Sequence, residues 1–216
     1  MKPRQGDDGG DQGTRERILL AARRLFSEKG FRSTSIRDII EAAGVNVDAV
    51  NYHFGGKKNL YLEVLGARTA VYRAARREAL AKAMAGEADL EAALRAFVTS
   101  CLSGPSTVAE AEEDIALFFR EMSTPGPGFD IILREMIEPT QAVMTGILLR
   151  EVPTMTPERA RLCLASIMAQ VAHFARTRKV FSRIFGRPYD EAAAAAVADH
   201  IVRFSLRGIL GKEETE

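Results

Sequence analysis

The chain has 216 residues, is 46% hydrophobic and 27% charged, and carries a formal net charge of +1. That composition excludes a disordered chain and a uniformly basic nucleic-acid coat, and predicts one or two folded domains. Cys101 and Cys163 lie far apart with no C-x-x-C pair and no secretory signal before them, which argues against a disulfide framework or a zinc site and for reduced, cytoplasmic thiols. Charged residues interrupt every apolar stretch before the ~18 residues that a membrane span needs.

The charge is unevenly spread. Residues 14–77 hold thirteen Lys or Arg against six Asp or Glu, whereas 78–216 hold fifteen against twenty. Charges on solvated faces are the plain explanation. A basic N-terminal module beside a mildly acidic remainder is also what phosphate attraction in one part alone produces.

Residues 1–13, with four Gly and three Asp, cannot bury enough apolar surface to offset ordering and are expected to be a disordered tail. From Thr14 the chain reads as all-α, with no strict alternation long enough for a strand. Thr14 can cap a first helix whose face is Ile18, Ala22, Leu25 and Phe26 and which ends at Lys29-Gly30. Thr34 or Ser35 caps a second, with Ile36, Ile39, Ile40 and Ala43 in helical register before Gly44. A third follows over 47–54, with Val50 and Phe54 turned inward and Gly55-Gly56 at its end.

Two short helices joined by a tight turn and braced by another make a helix-turn-helix, whose second helix enters the major groove of double-stranded DNA. With Val50 and Phe54 inward, Asn46, Asp48, Ala49, Asn51, Tyr52 and His53 are left outward or sideways. Asn51 can pair with an adenine edge, Ala49 can rest on a thymine methyl, and Tyr52, His53, Lys57 and Lys58 can hold phosphates. Asp48 either accepts from a cytosine amino group or caps helix three, and the cap is favoured. Tyr52 and His53 could equally support the edge of the helix-three core, though for His53 the phosphate role is preferred.

The residues Gly30-Phe31, Thr34-Ser35-Ile36-Arg37-Asp38-Ile39, Ala43-Gly44-Val45, Asn51-Tyr52-His53-Phe54 and Lys57-Lys58-Asn59-Leu60 resemble the signature of the TetR family of bacterial regulators. The resemblance covers about 47 residues and looks like the branch that shares Val-Asn-Tyr-His-Phe. Val47, Ala49 and Asn51 stand where the family commonly has Ser, Thr and Tyr, so the operator does not transfer. The resemblance implies DNA-facing positions at Arg37, Asn46, Val47, Asp48, Ala49, Asn51, Tyr52, His53 and Lys57. It also implies a helix-turn-helix domain over 14–60 and an effector-binding, dimerising domain over 61–216. Repression is the family habit.

A long fourth helix over 57–84 carries Leu60, Val64, Ala67 or Arg68, and Val71 on one side. In the family, a bound effector moves this helix. Further helices are expected over 89–102, 108–122, 129–150, 157–185 with a break, and 189–210. Asp89, Thr156 before Pro157, and Asp190 serve as caps, and Pro139 bends or ends its helix. The last two helices are the expected homodimer surface, with Ala192 to Ala196, Val197, Ile201, Phe204 and Leu210, against the alternative of packing within the chain.

For a small-molecule effector there is only a loose constellation: Cys101, Phe118, Phe119, Arg120, Met122, Met144, Met168, Gln170, His173 and Phe174. Such Met and Phe stripes are more often core than pocket lining. Arg120, Gln170 and His173 need polar partners, for which an internal hydrogen bond is the safer expectation than a ligand. An apolar or amphipathic effector is expected, with no cofactor, no metal and no membrane partner. Three His without a triad, Walker or dinucleotide fingerprint argue against an enzyme.

Overall fold

A computed structural model describes residues 8–85, 89–104 and 108–211, and no strand occurs among the described residues. In chain order the elements are α1 (Asp8–Ser33), α2 (Ile36–Ala43), α3 (Val47–Phe54), α4 (Lys57–Ala83), α5 (Leu90–Leu102), α6 (Val108–Ser123) and α7 (Phe129–Ile132). A π-helical turn (Leu133–Ile137) then leads into α8 (Glu138–Glu151), α9 (Pro157–Arg176), α10 (Arg178–Phe185) and α11 (Glu191–Leu210). The chain forms two compact units, Met1–Arg68 with Glu112–Ile132, and Thr69–Ala111 with Leu133–Glu216. The division therefore differs from the one expected after Leu60, because most of α6 and all of α7 fold with the N-terminal helices.

In the first unit, Ile18, Ala22, Leu25 and Phe26 of α1 are buried as their spacing predicts, with Ile39, Ala43, Val50 and Phe54 from the next two helices. Full burial of each large apolar side chain stabilises by about 1.5–3 kcal/mol. The expected tail is helical from Asp8 onward, and residues 1–7 lie outside the described residues. Thr14 thus falls inside α1 rather than capping it. Asp11 sits in the opening turns, where negative charge suits the helix dipole, and its carboxylate reaches His53. The helix breaks at Gly30, whose φ of 80° and ψ of 170° favour glycine.

In the second unit, α5, α8, α9 and α11 pack around Leu94, Phe97, Met144, Leu148, Leu164, Ile167 and Ile201. The caps are those the sequence offers: Asp89, Thr156 and Asp190 accept from the backbone N–H of Ala92, Arg159 and Ala193. The expected break in 157–185 falls at Thr177. Pro139 has no N–H for the carbonyl four residues back, and the π-helical turn ends just before it, so the helix stops and restarts there. Two expectations need correction. Ala193, Ala194, Val197 and Ile201 are buried in the chain's own core, while Ala192, Ala195, Ala196, Phe204 and Leu210 are exposed. On α4, Leu60 and Val64 are buried as expected but Val71 is exposed, and Tyr61, Leu65, Thr69, Tyr72, Arg76 and Leu80 are buried as well, a helical stripe that polar side chains hide from an apolar pattern.

Candidate DNA-binding surface and ligand pocket

The two short helices are fixed by their ends. Ser35 and Asp38 form a reciprocal capping box at the start of α2: Ser35 N–H donates to Asp38 Oδ2 at 2.8 Å, and Asp38 N–H donates to Ser35 Oγ at 3.1 Å. The bond from the Ser35 backbone, then that from its side chain, holds the Asp38 carboxyl below its ordinary range. Thr34 instead turns inward, its hydroxyl donating to Gly30 O at 2.8 Å. Gly44, in the left-handed region at φ 63°, closes α2 and lets the chain turn at once into α3. There Asn46 is the cap, its Oδ1 accepting from Ala49 N–H at 3.0 Å. Asp48, the favoured cap in the sequence, is an exposed first-turn residue of α3. Asn46 holds the non-helical backbone that a cap needs, and Asp48 is already helical.

Arg37, Asn46, Val47, Asp48, Asn51 and Tyr52 are exposed and Ala49 is half-buried, Tyr52 keeping 77% of its surface free. Two expected phosphate contacts are otherwise engaged. The His53 side chain is only 7% exposed, with Nε2 3.4 Å from Asp11 Oδ1. Lys57 Nζ donates to Phe31 O and Thr34 O, both at 2.9 Å, and lies 4.4 Å from the Phe31 ring centre. It satisfies carbonyls where α1 ends, instead of reaching outward.

Residues of α6 complete this unit. Asp114 is fully buried and accepts from Arg68 Nη2 at 2.7 Å, with Arg23 Nη2 3.2 Å away. Tyr61 donates to Glu121 at 2.5 Å, and Glu121 also accepts from the backbone N–H groups of Gly126 and Gly128. Burial, then the Glu121 carboxylate, pushes the Tyr61 hydroxyl far above its usual range. Arg120 crosses α1 at Gly30 and donates to Ser27 O and Glu28 O, at 3.3 and 3.2 Å. A Cβ on Gly30 would stand 2.8 Å from Arg120 Cδ.

The second unit holds a pocket with a cavity volume of about 60 Å³, lined by Arg76, Phe97, Met136, Ile137, Thr140, Gln141, Met144, Leu164 and Met168. A cleft that also touches Arg76 and Thr140 has about 360 Å³, within the ~300–1,000 Å³ common for small-molecule sites, and adds Arg73, Arg77, Leu80 and Val143. Arg76 is 8% exposed. Its Nε donates to Ser100 Oγ at 3.3 Å, Nη1 to Thr140 Oγ1 at 3.2 Å and Nη2 to Cys101 Sγ at 3.1 Å, over the ring of Phe97. Among the described residues there is no group of three or more His, Cys, Asp or Glu that could hold a metal ion.

Residues 18–64 match the family model "Bacterial regulatory proteins, tetR family", and residues 90–209 match "HTH-type transcriptional dual regulator CecR, C-terminal domain". The second match alone spans more than half of the chain. This chain is a TetR-family transcriptional regulator. The HTH-type transcriptional repressor KstR2 of Rhodococcus jostii is 31% identical over 116 residues, 53% of this chain and 57% of KstR2, so little more than half of that relative is spanned. Two solved structures share the fold of this TetR-family chain. A transcriptional regulator from Rhodococcus sp. Rha1 has a TM-score of 0.65 at 23% identity, covering 90% of this chain and 96% of that one. The regulator FadR from Bacillus subtilis, in complex with stearoyl-CoA, has a TM-score of 0.65 at 14% identity, covering 89% of this chain and 98% of FadR. The family and these relatives are regulators, not enzymes.

Of the effector residues expected in this TetR-family chain, Met144 and Met168 line the pocket. Phe118, Arg120 and Met122 are corrected to the DNA-binding unit, because α6 from Glu112 onward folds there. Gln170 turns to Ser166 O and Ser205 Oγ, His173 is exposed, and Phe174 packs against the second unit's core beside Phe181, so none of the three lines this pocket. Sequence reasoning missed Arg76. Its register with Tyr61, Leu65, Thr69, Tyr72 and Leu80 was the available signal.

Proposed function

We propose that this TetR-family regulator is a repressor that binds a palindromic operator as a homodimer and is released by a small apolar or amphipathic effector held in the second unit. The observation that carries the DNA reading is the outward face of α3. Asn51 and Tyr52 are exposed beside Val47 and Ala49 on a helix locked at both ends by Asn46 and Gly55. Asn51 is the base reader, Ala49 and Val47 meet base methyl groups, and Tyr52, Arg37 and Lys58 hold phosphates. Lys57 and His53 support the helices from behind.

Exposed Leu162 on α9 and Phe204 and Leu210 on α11, beside the small exposed Ala192, Ala195 and Ala196, favour pairing through these helices. Two-fold pairing sets two recognition helices about one DNA turn, ~34 Å, apart. The pocket's Met-rich lining suits an apolar body, and FadR, of the same fold, was solved with an acyl ligand. No helix among the described residues is long and apolar enough to cross a membrane, in keeping with work in the cytoplasm.

Selecting bound sequences from random DNA at near-physiological salt tests the DNA reading. The expected result is a two-fold symmetric motif bound ~10³-fold or more above scrambled DNA, with Asn51→Ala costing about 1–3 kcal/mol on that motif. Motif-free binding, or an Asn51→Ala variant of unchanged affinity, would favour an architectural DNA-binding protein without sequence readout.

A further inference from the structure

We propose that the pocket of the second unit takes a monocarboxylate with an apolar body, and that Arg76 is the residue that reads the carboxylate; this rests on the sensing role proposed above. The chain itself shows what a buried arginine ordinarily receives. Arg23 and Arg68, both largely buried, share the Asp114 carboxylate. Arg76 is as buried as Arg23, and its acceptors are two hydroxyls and a thiol, all neutral groups. No carboxylate lies within ion-pair distance of it among the described residues.

A guanidinium keeps its charge, and its burial without a counter-charge is costly unless an anion arrives. It has five N–H donors, of which the three neutral partners use one on each nitrogen. One N–H on Nη1 and one on Nη2 remain, and the two oxygens of a carboxylate fit such a pair. Apart from the neutral Thr140 and Gln141, the rest of the lining is apolar, from Phe97, Met136, Ile137, Met144, Leu164 and Met168, and suits an alkyl or ring body rather than a second charge. Thr140 and Ser100 hold the guanidinium at the wall, so the site is built before a ligand enters.

The test is calorimetric titration of the full chain with decanoate and with 1-decanol, each below its self-association limit, on the wild type, Arg76→Met and Arg76→Lys. Methionine is close in shape to the arginine stem and removes a buried charge, so that variant should fold, and Arg76→Lys keeps the charge without the fork. The expected result is roughly tenfold or greater preference for decanoate in the wild type. Arg76→Met should bind both compounds alike, and Arg76→Lys should keep part of the preference. Equal wild-type affinities, or a preference that survives in Arg76→Met, overturn the carboxylate reading and leave the sensing role standing. If decanoate binds as expected but never releases operator DNA, the sensing role fails and the anion site stands. If neither compound binds, both readings fall.

Discussion

Lys57→Ala separates a lysine that serves the fold from one that serves the DNA backbone. The side chain donates two 2.9 Å bonds to Phe31 O and Thr34 O and stacks on Phe31. A bond from a charged donor contributes about 1.5–3 kcal/mol, and a cation–π contact about 0.5–1 kcal/mol at an exposed site. Lys57 is half-buried, so water compensates part of the loss, and a net destabilisation of about 2–3 kcal/mol is expected. For a chain of this length that lowers Tm by roughly 4–12 °C. The assay pairs urea unfolding with operator affinity measured over a range of salt, at a temperature where both proteins are folded. A lost phosphate contact would reduce the log–log salt slope by ~0.9. The structure requires a lower unfolding midpoint and an unchanged slope. An unchanged midpoint with a slope smaller by about one would refute the reasoning and restore Lys57 to the DNA contacts.

Asp114→Asn should destabilise by about 3–5 kcal/mol, since it removes the fully buried carboxylate that Arg68 and Arg23 share and leaves Arg23 the more exposed Glu113, and chemical denaturation reads this directly. Asn46→Ala should cost about 0.5–2 kcal/mol through loss of the α3 cap, and Asp48→Ala much less; the reverse order in thermal melts would return the cap to Asp48. Tyr61 gives a pH signature. Its hydroxyl is raised in the folded chain from an ordinary value of 10.0, so it stays protonated there while the unfolded chain loses the proton. The stability it confers is full below about pH 10 and falls as pH rises above that. The gap between wild type and Tyr61→Phe should therefore narrow from pH 9 to 11, and parallel profiles would count against the assignment.

The helices were legible because their signals are local. The caps at Asp89, Thr156 and Asp190, the glycine after α2, and the inward faces of α1 to α3 each depend on residues a turn apart. The polar interior was not legible, because its partners are remote in sequence: Asp114 meets Arg23 and Arg68, Glu121 meets Tyr61, and Arg120 reaches the end of α1. A charged residue on an amphipathic helix reads as solvent-facing, and Arg76 was lost for that reason. Asn46 and Asp48 are both good capping types two residues apart, and only backbone geometry decides between them. Phe118, Arg120 and Met122 lie away from the pocket because α6 carries them into the other unit, a fact of topology rather than periodicity.

The noncontiguous makeup of the DNA-binding unit bears on how the protein is synthesised. A helix-turn-helix ending near Leu60 could in principle fold as soon as it left the ribosome. Here Arg23 and Tyr61 wait for Asp114 and Glu121, carried by Glu112–Ile132. At ~5–20 residues per second, that stretch emerges some 3–13 s after Arg68. A nascent chain that stalls in the interval carries the whole recognition helix without the carboxylates that steady it, so truncated products should be cleared before they compete for the operator.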